Sequence, residues 1–149
     1  MNDPRGSIWR KWDLHIHTPA SGDDYGNKSV NNEQIIEALK QNHISAAAIT
    51  DHHIIDIDRI INLQRIAGTD ITIFPGIECR SELGGSESVH FIGIFPNDLN
   101  RTQLQSIWTK ISASLQITDQ DRKDKGENKL YCDLKDSAKV IHQLGGLVI

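Results

Sequence analysis

The run Ile44-Ser45-Ala46-Ala47-Ala48-Ile49-Thr50 limits the possible folds of this chain more than any other stretch. It is small and apolar almost throughout and shows no polar alternation, as a strand covered on both faces requires. Strands of that kind belong to α/β proteins, where crossover helices shield a parallel sheet. The run ends abruptly in Asp51-His52-His53. Chemistry in such folds gathers at the C-terminal ends of strands, so this polar triplet stands where a site is expected.

The pattern recurs on either side. Trp12 to Thr18 alternates, with Leu14 and Ile16 on one face and Asp13, His15 and His17 on the other. Ile71 to Glu78 reads as a third strand with Glu78 at its far end, and Val89 to Phe95 as a fourth that carries His90. Helical patterns lie between them. Asn31 or Asn32 caps one with Ile35, Ile36 and Leu39 as its stripe. Asp56 to Ala67 is a second, stopped by Gly68. Leu99 to Leu115 is a third, and Asp133 to Leu144, ended by Gly145-Gly146, is a fourth. Pro19 to Asn32 is rich in turn residues and reads as a loop. The polar stretch 117–130 reads as a flexible insert. The order β-α-β-α-β-β-α-loop-α-β predicts a parallel sheet or barrel of the α/β class. Leu147-Val148-Ile149 opens a further strand at the last residues, and a buried strand needs neighbours to cover it. Residues 1–149 are therefore expected to be the N-terminal part of a longer domain.

Bulk properties exclude several classes. A net charge of −4 gives no basic footprint for long-range attraction to nucleic acid. No apolar stretch is long enough to span a bilayer, and no signal core follows the polar N-terminus. Cys79 and Cys132 lie far apart, with no CxxC pair, so neither a zinc knuckle nor a disulfide framework is expected. Reduced thiols and a cytoplasmic location follow as the default.

The seven histidines are the informative part of the composition. In a strand, residues i and i+2 face the same way, so His15 and His17 project side by side as a bidentate metal clamp requires. Two surface histidines on an edge strand would give the same pattern. Asp51-His52 adds a carboxylate and an imidazole at a second strand end, or else Asp51 caps a helix and His52 is exposed. Of His52 and His53, one should face the rim and the other should pack or face solvent; His52 is the candidate ligand. Glu78 alone reads as an exposed strand end, and His90 alone as a core histidine. Asp23 and Asp24 follow the HxH strand closely enough to reach a metal, and equally suit a solvated turn. Taken together, imidazoles and carboxylates at successive strand ends suit Zn²⁺, Mn²⁺ or Fe²⁺.

Four motifs in order, Asp13-Leu14-His15-Ile16-His17-Thr18, Ile49-Thr50-Asp51-His52, Pro75-Gly76-Ile77-Glu78 and His90-Phe91-Ile92-Gly93, resemble the PHP (polymerase and histidinol phosphatase) family. The resemblance implies the N-terminal portion of a distorted (β/α)7 TIM-like barrel. It implies two or three divalent metal ions at the C-terminal rim, with His15, His17, His52, Glu78 and His90 on ligand positions. An aspartate shortly after the HxH is a ligand in many members; Gly22 stands at that position here, with Asp23 beside it as the candidate. Gly145-Gly146-Leu147-Val148-Ile149 resembles the approach to a later strand whose histidine, with a late Asp-x-His, completes the family's ligand set. The opening Arg5 to Trp12, running into His17-Thr18-Pro19-Ala20-Ser21, is similar to PHP domains that head large ATPase proteins, often linked to nucleic-acid processing.

The implied activity is hydrolysis of a phosphate mono- or diester, on nucleic acid or a nucleotide, by a metal-bound hydroxide. Asp51 is the candidate for orienting a ligand or moving a proton, and Arg80 for clamping a phosphate with its planar fork. The alternatives are a non-catalytic PHP module serving a structural or interaction role in a larger ATPase, and an amidohydrolase-like enzyme acting on a C–N bond.

Overall fold

The computed structural model describes residues 9–82, 88–118, 120–121 and 130–149, without the side chains of Asp23, Asp24 and Glu82. Most of the insert expected over 117–130 therefore lies outside the described residues. Its two flanks, Ile117 and Leu130, are both buried.

Five strands form one sheet in the order β1 (Lys11–Ile16), β2 (Ile44–Ile49), β3 (Thr72–Glu82), β4 (Ser88–Ile94) and β5 (Leu147–Val148). The helices are α1 (Asn32–Gln41), α2 (Ile57–Ala67), α3 (Arg101–Leu115) and α4 (Leu134–Gln143). The result is a mixed α/β fold with the element order read from the sequence. Among the described residues the sheet is open, with β1 and β5 at its edges.

The helix starts follow from local chemistry. Asn31 accepts from the Gln34 backbone N–H at 2.8 Å, and the Gln34 side chain accepts from the Asn31 backbone N–H at 3.0 Å. This reciprocal box satisfies two donors that the first helical turn leaves without partners. Asn100 and Gln103 repeat it at α3. Asp56 caps α2 and Asp133 caps α4, each accepting a backbone N–H three residues on.

The expectation of a parallel sheet or barrel needs correction at β4. β1, β2 and β3 run parallel, but β4 is antiparallel to both β3 and β5. Only residues 83–87 separate β3 from β4, and parallel neighbours need a crossover of a dozen or more residues. The reversal has a consequence for the site. The first half of β4 lies beside the last half of β3, so β4 delivers residues to the rim where β1, β2 and β3 end.

The helices pack on one another in chain order, α1 on α2, α2 on α3 and α3 on α4. Their apolar stripes join the sheet in a single cluster that includes Ile36, Ile49, Leu63, Ile73, Leu104 and Ile141. Full burial of one such aliphatic side chain contributes about 1.5–3 kcal/mol, so the stripes rather than helix propensity hold the layer in place. Among the described residues no helix is long and apolar enough to cross a membrane.

Strand spacing depends on Gly76. A Cβ there would lie 3.0 Å from the Ile49 carbonyl oxygen, 3.0 Å from the Gly93 carbonyl oxygen and 2.9 Å from Thr50 Cγ2. Backbone on both flanking strands cannot retreat as a side-chain tip can. Gly76→Ala is expected to destabilise the fold by about 1–3 kcal/mol, measured as a drop in the denaturant midpoint at unchanged slope. A midpoint within error of the parent would refute this close approach.

Candidate metal centre

Hydrogen bonds between strand ends set the register of the rim. The Thr50 N–H donates to the Ile16 carbonyl at 2.8 Å, which ties the end of β2 to the end of β1. The Glu78 N–H donates to the Asp51 carbonyl at 3.1 Å, and the His53 N–H to the Glu78 carbonyl at 2.8 Å. These bonds bring His17, His52 and Glu78 level with one another. On the other side, β4 pairs Ile92 with Glu78 and His90 with Arg80. His90 is thus the diagonal neighbour of Glu78 on one face of the hairpin, within reach of a long side chain.

The side chains converge on one carboxylate. Glu78 Oε2 lies 2.7 Å from His15 Nε2, 2.7 Å from His17 Nε2 and 3.1 Å from His52 Nε2. Glu78 Oε1 lies 2.5 Å from His90 Nδ1. The Glu78 side chain is 2% exposed, whereas His15 is 50% exposed, so the cluster runs from the buried floor of the rim to solvent. Burial would push the Glu78 carboxyl up, but hydrogen bonds from His17, His52, His15 and His90 outweigh it and hold the group below the ordinary carboxylate range.

These residues suit a divalent cation. His15 Nε2 and His17 Nε2 are 2.9 Å apart while both face Glu78 Oε2. A neutral imidazole can turn a ring lone pair to a cation in place of these contacts. Lone pairs converging with a carboxylate form the donor set that Zn²⁺, Mn²⁺ and Fe²⁺ take. Two overlapping triads have donors close enough to share an ion, His15-His17-Glu78 and His52-Glu78-His90, each within 4.8 Å. Glu78 belongs to both.

Asp51 organises the surroundings. Its buried carboxylate accepts from the Thr18 N–H at 2.6 Å, Thr18 Oγ1 at 2.8 Å and Ser21 Oγ at 2.7 Å. Ser21 Oγ in turn accepts from the His52 backbone N–H at 3.2 Å. Burial pushes the Asp51 carboxyl up, against the lowering effect of these bonds. The helix-cap reading of Asp51 is not what the structure shows, because Asp56 caps the helix that follows. The Arg80 side chain donates through Nε to His90 Nε2 at 3.0 Å. That bond makes Nε2 the acceptor and directs Nδ1 toward Glu78.

Asp23 belongs to a short 3-10 segment, Pro19–Asp24, but its side chain lies outside the described residues. Gly22, where the resemblance would place an aspartate, has φ 63° and ψ −126°. Only glycine adopts that conformation without strain, which accounts for its presence at this position. Sequence reasoning did not assign Thr18 and Ser21, although Thr18 stands directly after the HxH and both flank the turn that Asp51 holds. Nor did it anticipate a cavity of about 660 Å³ beside His15 and His17, with Tyr25, Val30, Ile35 and Leu39 in its wall.

No protein-family model and no curated protein matches the chain. Solved structures do. An amidohydrolase from Chromobacterium violaceum, solved with bound sulfate and no metal, aligns with a TM-score of 0.58 and 16% identity over 91% of this chain. A candidate metal-dependent phosphoesterase from Bifidobacterium adolescentis aligns with a TM-score of 0.47 and 17% identity over 91% of this chain. The chain spans 64% of the length of the first and 51% of the second. At 16% identity the likeness to the first is one of fold.

The Asp51 network is a testable support for the centre. Asp51→Ala leaves buried donors of Thr18 and Ser21 without partners, and is expected to cost about 1–3 kcal/mol or more. Loss of such an orienting group is also expected to weaken metal binding by about 10–100-fold. Chemical denaturation and zinc titration by calorimetry read the two effects; undiminished affinity in a folded variant would remove Asp51 from this role.

Proposed function

We propose that the chain is the opening part of a PHP-type, distorted (β/α)7 barrel and belongs to a divalent-metal-dependent phosphoesterase. The observation that carries this reading is the convergence of His15, His17, His52 and His90 on Glu78. Imidazoles drawn from three strands to a carboxylate on a fourth serve no packing purpose at a half-exposed rim. The four sequence motifs support phosphoester rather than amide as the bond cleaved, and the two triads sharing Glu78 support at least two ions. Asp23 is proposed as an additional ligand from the loop after β1.

A bound divalent cation supplies Lewis acidity and brings the pKa of a coordinated water toward neutrality. The chain's own residues do the rest. Glu78 and the imidazoles fix ion positions against a rigid sheet. The Asp51 oxygens are committed to Thr18 and Ser21, which assigns Asp51 to orienting His17 and His52 rather than to proton transfer. Arg80 orients His90 and brings a permanent positive charge to the cluster edge, suited to a phosphate oxygen. The cavity beside His15 and His17 is in the size range of small-ligand sites, and admits the leaving group of a nucleotide or a strand end of nucleic acid. An ATPase domain in the same protein and a cytoplasmic location complete the proposal; the free thiols Cys79 and Cys132 agree with a reducing compartment.

The test uses the longest natural form of the protein loaded with Mn²⁺ or Zn²⁺. Hydrolysis of p-nitrophenyl phosphate and bis(p-nitrophenyl) phosphate is expected, with a p-nitroanilide as the C–N control. Glu78→Gln and His15→Ala should lower kcat by about 100-fold or more, the scale of a lost transition-state contact, and a chelator should abolish turnover. Equal phosphoester rates in parent and His15→Ala would end this reading. Anilide cleavage alone would transfer the site to amide chemistry.

A further inference from the structure

The alternation of side chains along β3 places a second cluster behind the first. Glu78 and Cys79 are successive residues of one strand, so they face opposite sides of the sheet. His52 and His53 also part, in the turn after β2. His52 joins Glu78, while His53 lies with Cys79 and Cys132, the ligand atoms of all three within 4.8 Å of one another. Cys132 reaches this place because its backbone N–H donates to the Arg80 carbonyl at 2.8 Å, which pins the approach to α4 against β3. His53, Cys79 and Cys132 are each buried, at 1%, 0% and 8% exposure. His53 holds a left-handed backbone, φ 53°, that few non-glycine residues adopt.

We propose that His53, Cys79 and Cys132 bind a thiophilic divalent cation, Zn²⁺ or a chemical equivalent, at a site separate from the Glu78 cluster. The donor chemistry favours it. Zinc bonds of about 2.3 Å to sulfur and about 2.0 Å to nitrogen need donors roughly 3.5–3.8 Å apart, a spacing compatible with donors that all lie within 4.8 Å of one another. Two thiolates balance the charge of one divalent ion, which a buried site requires. The two thiol sulfurs lie within 4.8 Å of each other. The Arg80 carbonyl oxygen, 3.4 Å from Cys132 Sγ, stands at the same site as an oxygen donor for the fourth position. The ion would fasten the segment before α4 to the strand that carries Glu78.

Cobalt(II) titration of the reduced protein tests the proposal. The Glu78 cluster offers only nitrogen and oxygen, so a thiolate-to-cobalt charge-transfer band in the near ultraviolet reports the second site alone. The band is expected in the parent and in His15→Ala, and is expected to be lost in Cys132→Ser and in His53→Ala. Cobalt uptake without the band, or a band that survives Cys132→Ser, overturns the site. Should Cys132→Ser fail to fold, alkylation of the parent decides. Zinc is expected to protect both cysteines, in the parent and in His15→Ala alike, and an unchanged alkylation rate refutes the proposal. A Cys79–Cys132 disulfide found by mass spectrometry in zinc-loaded protein would refute it equally.

Discussion

A buried carboxylate surrounded by four imidazoles is the constraint around which this end of the molecule is organised. Glu78 is nearly inaccessible to solvent, and a lone ionised group in that position would be strongly penalised. It remains ionised because His15, His17, His52 and His90 reach it from strands β1, β2 and β4 or their ends. Each of those imidazoles depends on register. A shift of one residue in any strand would turn its histidine to the opposite face. The backbone bonds Thr50 to Ile16 and Glu78 to Asp51 are therefore as much part of the centre as its ligands.

Much of this was readable from the sequence, and for a definite reason. The metal-type residues sit at the ends of runs whose periodicity reports a strand, and strand ends in an α/β fold share a rim. His15 with His17 needs only the two-residue repeat. The helix boundaries were readable within a residue or two because Asn31, Asp56, Asn100 and Asp133 are strong caps. What failed was strand direction. Periodicity carries no arrow, and only the short separation of β3 from β4 signals a hairpin. The sequence offered Asp51 two roles, orienting a ligand or moving a proton, and Arg80 a phosphate clamp, but not the contacts either makes. Those contacts depend on which neighbours the folded chain brings close, Thr18 and Ser21 in one case and His90 in the other.

The cysteines show a different limit. Counting spacings along the chain dismissed Cys79 and Cys132, because neither lies near another cysteine. Spatial pairing comes instead from β3, where the Arg80 carbonyl receives the Cys132 N–H. Yet part of this grouping follows from the first site. Once Glu78 is accepted as facing the imidazoles, alternation along β3 turns Cys79 to the other face, where the left-handed backbone of His53 brings its ring.

That coupling has a physical implication for how the centre holds its shape. Residues 78, 79 and 80 of β3 serve three tasks in succession: Glu78 gathers the imidazoles, Cys79 meets His53 behind the sheet, and Arg80 orients His90 while its carbonyl anchors Cys132. A strand fastened from both faces resists the small translations that would widen the spacing of the donors. Metal sites tolerate only a few tenths of an ångström in their bond lengths, so a rigid Glu78 suits the divalent cation proposed for this cluster. The buried cluster behind β3 is thus placed where a constraint has most effect on the Glu78 cluster in front of it.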